Sequence, residues 1–268
     1  MKTTCVIVST YERPRALNRV LEGLSHQLVT PTQVIVADDG SGKETVGVIQ
    51  YWQRAGLMVH HCWQPDEGFR KALILNRSIK LATAEVLIFL DGDCVPLPSF
   101  VRDHRDMHEE SCIHAGGRVL VGQALTTDIE TVGMGGISLL NLVLRYFKGE
   151  INRFAPLLCL PDGAWRKIKP LNWESVRGCN FSVSRRHMLA VDGFESAMVG
   201  WGLEDSEVAL RLINSGLTVK TLRFAAPVLH LWHSEASREN FESNERHLNE
   251  VRLSARILAR AGVSALSS

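Results

Sequence analysis

The sequence predicts an α/β fold with a mostly parallel central sheet and helices on both faces. In the first part of the chain, apolar runs typical of strands alternate with helical patterns in the order βαβαβαβ. This order implies parallel strands joined by crossover helices. Three of the four strands run into polar clusters, at residues 9–13, 38–41 and 91–93. Ligands of such sheets bind beyond the carboxyl ends of the strands, so the clusters predict a site at that edge.

Hydrophobic periodicity assigns each element of this first part. Apolar, β-branched runs predict strands at residues 4–8, 34–37, 57–62 and 86–90, and helical spacing predicts helices at residues 14–27, 43–54 and 69–82. Pro14 suits a first helical turn, where its missing N–H costs nothing. Two of these helices have faces spaced for burial, formed by Leu17, Val20, Leu21 and Leu24 and by Ala72, Leu75, Ile79 and Ala82.

The second part of the chain is less regular. Helices are predicted at residues 100–110, 137–147 and 205–215, and the prolines of residues 153–173 favour a loop. Residues 238–261 read as an amphipathic helix, which we expect to pack on its own domain, with contact to a membrane surface or a partner as the alternative. Its apolar face would consist of Leu248, Val251, Leu253, Ile257 and Leu258.

Composition indicates a globular, near-neutral protein. The chain has 268 residues, 45% of them hydrophobic, with 30 basic and 29 acidic side chains. This balance gives no reason to expect nucleic-acid binding, which usually shows as a basic excess. The six cysteines form no CxxC pair and are expected to be reduced core residues. No run reaches the roughly 18 apolar residues of a membrane span, so we expect a cytoplasmic protein, with peripheral contact at the inner face of the membrane left open.

The Asp91-Gly92-Asp93 loop predicts a metal site. It directly follows a buried strand, and two carboxylates separated by one glycine can face one ion. Hard divalent cations such as Mg²⁺ or Mn²⁺ prefer carboxylate oxygens and keep positions open for phosphate. At the end of a buried strand, a metal-binding role is favoured over a simple turn.

Two later runs add candidates for catalysis and metal binding. In residues 200–207, glycines flank Trp201, and adjacent carboxylates then open a helix. The aromatic ring could stack on a sugar and a carboxylate could take a proton from a hydroxyl, although acidic residues are also common helix caps. In residues 228–233, two histidines follow an apolar strand. His233 is the better metal-ligand candidate because it stands at the strand's end.

Six ordered segments resemble family 2 glycosyltransferases with the GT-A fold, followed by a galactosyltransferase-like C-terminal module. They extend over about residues 6–240 and read VIVSTYERP, VIVADDGS, GFRKALILNRSIKLATAEVLIFLDGD, RGCNFSVSRR, GWGLEDSE and HLWHSEASREN. The resemblance implies a single GT-A domain with a smaller acceptor-side subregion. Residues 1–123 would bind the nucleotide sugar, and residues 124–268 would bind the acceptor and carry the catalytic residues.

The resemblance also implies roles for individual residues. The nucleotide sugar would be bound by Ser9, Thr10, Tyr11, Arg13, Asp39, Arg70, Asn76, Asp91, Gly92 and Asn180. Within this set, Asp39 would meet the uracil or its ribose, and Asn180 the donor sugar. Mn²⁺, or Mg²⁺, would be bound by Asp93 and His233, with Asp91 nearby. The acceptor would be held by Trp201, Gly202 and Glu204.

The resemblance implies a metal-dependent, inverting transfer of a hexose or N-acetylhexosamine from a UDP-sugar. The acceptor would be a hydroxyl of a glycan or lipid-linked oligosaccharide, in surface polysaccharide or lipopolysaccharide assembly. Asp205 is the favoured catalytic base. Glu204 stays open as the alternative, because Ser206 stands where some relatives have a longer acidic run.

Two other functions are weighed against this one. A nucleotidyltransferase would need a glycine-rich phosphate loop after the first strand, and residues 9–14 contain no glycine. A non-catalytic carbohydrate-binding protein with a transferase fold would be expected to have lost a metal-binding or base carboxylate. Asp91, Asp93, Glu204 and Asp205 are all present.

Overall fold

A seven-stranded sheet forms the centre of the computed structural model, which describes residues 2–135, 138–160, 163, 173–235 and 237–266. The strand order is β3-β2-β1-β4-β8-β6-β9, and β5, β10 and β7 form a second, three-stranded sheet. The strands are β1 (Thr4–Thr10), β2 (Gln33–Asp38), β3 (Val59–Trp63), β4 (Val86–Asp91), β5 (Cys94–Pro96), β6 (Cys112–Ala115), β7 (Arg118–Leu120), β8 (Asn180–Ser184), β9 (Thr218–Thr221) and β10 (Val228–His230).

The large sheet is mostly parallel, which confirms the predicted α/β class. Strands β3, β2, β1 and β4 pair in parallel, whereas β8 runs antiparallel between β4 and β6. The register places Ser9 opposite Asp91 and Thr10 opposite Asp38. The three predicted polar clusters therefore meet at one edge of the sheet, as their positions at strand ends require.

Helices cover both faces of the sheet. They are α1 (Pro14–Ser25), α2 (Lys43–Arg54), α3 (Lys71–Leu81), α4 (Phe100–Asp106), α5 (Gln123–Val132), α6 (Leu139–Phe147), α7 (Arg185–Ala190), α8 (Glu204–Asn214) and α9 (Phe241–Ser254). Successive residues of a strand point to opposite faces, so Val6 and Val8 pack in one core cluster with α1, and Cys5 and Ile7 pack in the other with α3. The predicted apolar faces of these two helices are buried.

The second, three-stranded sheet brings a late segment of the chain next to the acidic loop. Strand β10 pairs antiparallel with β5 and brings His230 opposite Cys94, the residue after Asp93. In addition, the Leu231 N–H donates to the Asp93 carbonyl at 2.9 Å. This long-range pairing places the two histidines that follow the apolar strand against the acidic loop.

Several predicted elements differ from the structure. The sequence did not predict the short strands β5 to β9. The C-terminal helix ends at Ser254. Leu248 and Val251 pack with Leu210 of α8, but Leu253 is 84% exposed, and Ile257 and Leu258 follow the helix and are also exposed. Only two of the five residues of the predicted apolar face thus pack against α8, because the helix is shorter than predicted.

Other expectations have mixed outcomes. The six cysteines are free, five of them buried as expected, whereas Cys159 is exposed. The predicted helix start at Ile137 and most of the predicted loop at residues 153–173 lie outside the described residues. Within the described parts of the chain, no helix combines the length and apolar character needed to cross a membrane.

Candidate active site

The acidic loop begins where β4 meets β1. The Gly92 N–H donates to the Ser9 carbonyl at 2.7 Å, and a Cβ on Gly92 would lie 2.8 Å from that oxygen. Only glycine fits this close approach without movement of β1. The Asp91 carboxylate accepts hydrogen bonds from Ser9 Oγ at 2.9 Å and from Lys71 Nζ at 2.7 Å. Asp91 is therefore anchored to β1 and α3 at the edge of the sheet.

Asp93, His230 and His233 form a potential metal-binding cluster, with one donor atom from each lying within 4.8 Å of the others. The two His Nε2 atoms are 3.3 Å apart, and they lie 3.5 Å (His230) and 3.4 Å (His233) from Asp93 carboxylate oxygens. A carboxylate and two imidazoles suit a transition metal such as Mn²⁺ better than Mg²⁺, which prefers oxygen ligands alone. The residues thus fit a divalent ion, with Asp93 and His233 as predicted and His230 as an additional donor.

Positive groups surround the Asp93 carboxylate. Arg13 Nη1 lies 2.8 Å from it, and the same guanidinium donates to the Trp232 carbonyl at 3.2 Å. Burial alone would raise the pKa of Asp93, but His230, Arg13 and His233 outweigh burial and lower it to about 2. Burial would likewise lower the pKa of His230, yet the neighbouring Asp93 raises it. The carboxylate is therefore ionised at neutral pH, as a metal ligand must be.

The predicted base candidates open α8 in different surroundings. Asp205 is partly exposed, and its carboxylate accepts hydrogen bonds from the N–H groups of Gly178 at 2.6 Å and Ser206 at 2.7 Å. Glu204 is buried and pairs with Lys71 Nζ at 3.3 Å. Burial raises the pKa of Glu204, and Lys71 opposes that rise. Asp205 is consequently the more solvent-accessible of the two carboxylates.

A tight turn places these carboxylates. Gly202 and Leu203 have φ angles of 106° and 72°, in the left-handed region that strongly favours glycine. A Cβ on Gly202 would also lie 3.3 Å from the Phe241 ring. Trp201, which is 39% exposed, stacks against the same ring with centroids 6.2 Å apart. The turn thus presents a partly exposed aromatic ring four residues before Asp205.

The predicted nucleotide-binding residues line the other side of this edge. Tyr11 is 47% exposed, and its hydroxyl donates to Asp66 at 2.9 Å. Asp39 is buried and accepts hydrogen bonds from the Arg70 N–H at 2.7 Å and from Gln64 Nε2 at 2.6 Å. Thr10 Oγ1 is buried and has no hydrogen-bond partner among the described residues. Its hydroxyl is therefore unsatisfied at the predicted nucleotide edge.

Two predicted donor contacts do not face the cleft. Asn76 is fully buried, and its amide bonds both the N–H and the carbonyl of Phe194. Asn180 is also fully buried; its amide nitrogen donates to the carbonyls of Gly117 and Ala226, and its oxygen bonds His104 Nε2 at 2.9 Å. Both amides are therefore occupied by hydrogen bonds in the protein interior. The expected direct contact with the donor is not seen, and Asn76 and Asn180 instead support the site from beneath.

Sequence reasoning missed Lys71 and ranked His230 below His233 as a metal ligand. Burial alone would lower the pKa of Lys71, but Asp91 and Glu204 hold it well above its usual value. The sequence did offer a signal for Lys71, because it directly follows the predicted nucleotide-binding residue Arg70 near the start of a predicted helix. For His230, the signal was its three-residue spacing from His233.

Two family patterns match the sequence. The sequence pattern of Glycosyl transferase family 2 matches residues 5–158, and that of the N-terminal domain of galactosyltransferase matches residues 166–234. The first pattern extends from β1 past the acidic loop, and the second includes the turn before α8 and both histidines. The matched regions therefore contain every residue of the metal cluster and both base candidates.

Individual relatives are also glycosyltransferases. The chain is 27% identical to validoxylamine A glucosyltransferase of Streptomyces hygroscopicus subsp. limoneus, over 87% of this chain and 51% of that protein. It is 32% identical to hyaluronan synthase of Pasteurella multocida, over 81% of this chain and 23% of that protein. The chain thus spans about half or less of these relatives' lengths.

A solved structure shares the fold at low sequence identity. GalNAc-T7, determined with UDP, GalNAc and Mn²⁺, superimposes with a TM-score of 0.62 at 15% identity, covering 88% of this chain and 44% of that one. This confirms the predicted GT-A fold. Family membership also decides against a nucleotidyltransferase. The chain belongs to glycosyl transferase family 2.

Proposed function

We propose that this enzyme transfers a hexosyl or N-acetylhexosaminyl group from a UDP-sugar to a hydroxyl of a glycan acceptor, with divalent-metal dependence and inversion at the anomeric carbon. The observation that carries the proposal is the convergence of Asp93, His230 and His233 at the carboxyl edge of the sheet. Lys71 joins the neighbouring Asp91 to Glu204, beside Asp205. Lys71 therefore links the loop that carries Asp93 to the helix start that carries Asp205.

The choice of a UDP-sugar as donor rests on the metal cluster and on the residues at the end of β1. A divalent ion bound by Asp93, His230 and His233 would neutralise the diphosphate leaving group as a Lewis acid. Tyr11 offers an exposed ring, and Thr10 an unsatisfied hydroxyl, where a nucleotide would lie. GalNAc-T7, which shares the fold, was determined with UDP and Mn²⁺, and this supports the choice of donor and metal.

Asp205 is proposed as the base that accepts the proton of the attacking hydroxyl. Two backbone N–H groups hold its carboxylate in one orientation, and a positioned carboxylate can assist proton transfer in the transition state. Glu204 is buried against Lys71 and is a poor candidate for a second, nucleophilic carboxylate. We therefore propose a single displacement from the face opposite the diphosphate, which would invert the anomeric configuration.

The acceptor side is proposed to lie around Trp201. Its exposed ring, supported by Phe241, is suited to stacking on a sugar. A lipid-linked oligosaccharide in surface polysaccharide assembly is one acceptor of this kind. Helix α6 exposes Leu140, Leu144 and Phe147 by 69%, 56% and 80%, and we propose that this face reaches the membrane surface that carries such an acceptor.

The test is product analysis with a panel of donors. UDP-glucose, UDP-galactose and their N-acetyl forms are each incubated with the enzyme in Mn²⁺ or in EDTA, and released UDP and pyrophosphate are quantified. The proposal predicts UDP release from one donor, in Mn²⁺ only, and an inverted anomer by NMR of the product. Pyrophosphate release, a retained anomer, or equal rates in EDTA would contradict it.

A further inference from the structure

Lys71, the first residue of α3, lies between the two sides of the candidate site. Its Nζ is 2.7 Å from Asp91 Oδ1 and 3.3 Å from Glu204 Oε1, and its side chain is only 17% exposed. A second contact joins the same two regions, because the Gly200 N–H donates to the carbonyl of Phe69 at 2.9 Å. The start of α3 therefore meets the turn that begins α8.

The surroundings of Lys71 are strongly acidic. Asp91, Glu204 and Asp205 all act on its charge. Three carboxylates that share a partly buried space repel one another, and an opposite charge between them offsets that repulsion. The Lys71 ammonium is the cation that the structure places in direct contact with two of them. Without it, Asp91 and Glu204 would be expected to move apart.

The Lys71 contact also bears on Asp205. Glu204 and Asp205 are consecutive in the first turn of α8, so an interaction that fixes Glu204 also fixes the start of the helix. Gly178 donates its N–H to Asp205 at 2.6 Å. A Cβ on Gly178 would lie 3.3 Å from Lys71 Nζ and 3.5 Å from Asp205 Oδ2. Gly178 thus lies close to both the Lys71 ammonium and the Asp205 carboxylate.

We propose that Lys71 is a positioning residue that couples the donor side of the cleft to the catalytic base, by holding Asp91 and Glu204 on one ammonium and so orienting Asp205. The inference rests on the proposed function and deepens it. Lys71 acts through Glu204 and helix α8. It need not touch the acceptor. A small displacement of a base can reduce turnover strongly while substrate binding changes little.

The experiment compares Lys71→Met, which keeps the length of the side chain and removes its charge, with Lys71→Arg, which keeps the charge. Lys80→Met is the matched control, because Lys80 is exposed on the same helix. The measurements are kcat for UDP release at saturating donor, the Kd for UDP with Mn²⁺, and Tm. We expect Lys71→Met to lower kcat about 100-fold, the cost of a misplaced base, with the Kd for UDP within about threefold.

Two further results distinguish positioning from a structural role. Lys71→Arg should recover at least about tenfold of the lost kcat, since a cation is restored. In the double variant of Lys71→Met with Glu204→Gln, kcat should fall no further than in the worse single variant, because residues that act through one contact are not additive. The control Lys80→Met should keep wild-type kcat.

Three outcomes would overturn the inference. One is wild-type kcat in Lys71→Met, and another is multiplicative loss in the double variant. The third is a fall in Tm with unchanged kcat per folded molecule, which would make Lys71 purely structural. Failure of the proposed function would be recognised separately. A wild-type enzyme that releases UDP from no donor would contradict both the proposed function and this inference.

Discussion

Asp205 and Glu204 are adjacent in sequence, but their carboxylates have different surroundings. Asp205 is partly exposed and held by two backbone N–H groups, whereas Glu204 is buried against a lysine. A sequence pattern of two consecutive acids could not separate these roles, because the choice depends on how α8 packs against α3. The geometry supports the preference for Asp205 and gives Glu204 a role in fixing the helix start.

His230 should contribute to metal binding as strongly as His233. Its Nε2 lies 3.3 Å from that of His233 and faces Asp93. We predict that His230→Gln weakens Mn²⁺ binding at least about tenfold, because one of three protein ligands is lost. The measurement is titration of free Mn²⁺ by electron paramagnetic resonance. The exposed His60 supplies the control His60→Gln, which should bind Mn²⁺ as the wild type does. Wild-type affinity in His230→Gln would remove His230 from the cluster.

Helix α8 is anchored by a buried ion pair between Glu207 and Arg211. Arg211 is fully buried, binds the Glu207 carboxylate at 2.7 Å, and donates to the carbonyls of Val191 and Gly193. Arg256 of the C-terminal region also approaches Glu207, at 3.3 Å. These bonds hold the helix that carries Asp205 against both the preceding loop and the chain end.

Removing Arg211 should therefore destabilise the whole domain. We predict that Arg211→Ala lowers the free energy of unfolding by about 3–5 kcal/mol, because the buried Glu207 carboxylate loses its closest partner and keeps only the longer contact with Arg256. Urea denaturation followed by circular dichroism measures this change. Arg186, whose side chain is 72% exposed, provides the control Arg186→Ala, which should change stability by under about 1 kcal/mol. Equal effects of the two variants would contradict a stabilising role for the buried network.

Helix α6 presents an apolar face to solvent, and the proposed membrane contact depends on it. We predict that the wild type floats with anionic liposomes and that the double variant Leu144→Glu, Phe147→Glu floats much less, since acidic side chains oppose insertion and are repelled by the lipid charge. Flotation on a density gradient measures this. The control is Leu253→Glu, which changes an exposed leucine of α9 in the same way. A wild type that stays wholly with the soluble fraction would contradict the contact.

Strongly periodic elements could be predicted from the sequence, but short strands could not. Helices α1 and α3 and strands β1, β2 and β4 follow from local apolar spacing. Strand β5 has three residues and depends on pairing with a distant segment, β10, so local propensity carries little information about it. His230 was ranked below His233 because the pairing that brings it to the acidic loop is long-range. The family resemblance implied that Asn76 and Asn180 contact the donor. Sequence position could not reveal that both side chains point into the protein interior.

Buried histidines make the whole molecule sensitive to acid. Burial lowers the pKa of His104 to about 4 and that of His114 to about 3, from an ordinary value of 6.5. His104 bonds Ser182 and Asn180, and His114 Nε2 accepts the Glu109 N–H. Both side chains are therefore neutral in the folded protein at neutral pH.

The sign of the pH effect follows from proton binding. Between pH 6.5 and about 4, the unfolded chain binds protons at these two histidines and the folded protein does not. Unfolding is favoured as pH falls through this window, so stability decreases. We predict a falling Tm from pH 7 to pH 5, with a shallower slope in His114→Gln and an unchanged slope in the exposed control His60→Gln. A Tm that is constant over this range would contradict the assignment.

The proposed mechanism depends on Asp205 as the base in a metal-dependent transfer. The decisive measurement is kcat for UDP release at saturating donor and Mn²⁺, together with the Kd for UDP, in the wild type, Asp205→Asn and Asp93→Ala. We expect Asp205→Asn to bind UDP normally and to lose about 100-fold or more in kcat, as removal of a general base does. Asp93→Ala should lose Mn²⁺-dependent UDP binding. Wild-type kcat in Asp205→Asn, or Mn²⁺-dependent binding retained in Asp93→Ala, would contradict the proposed mechanism.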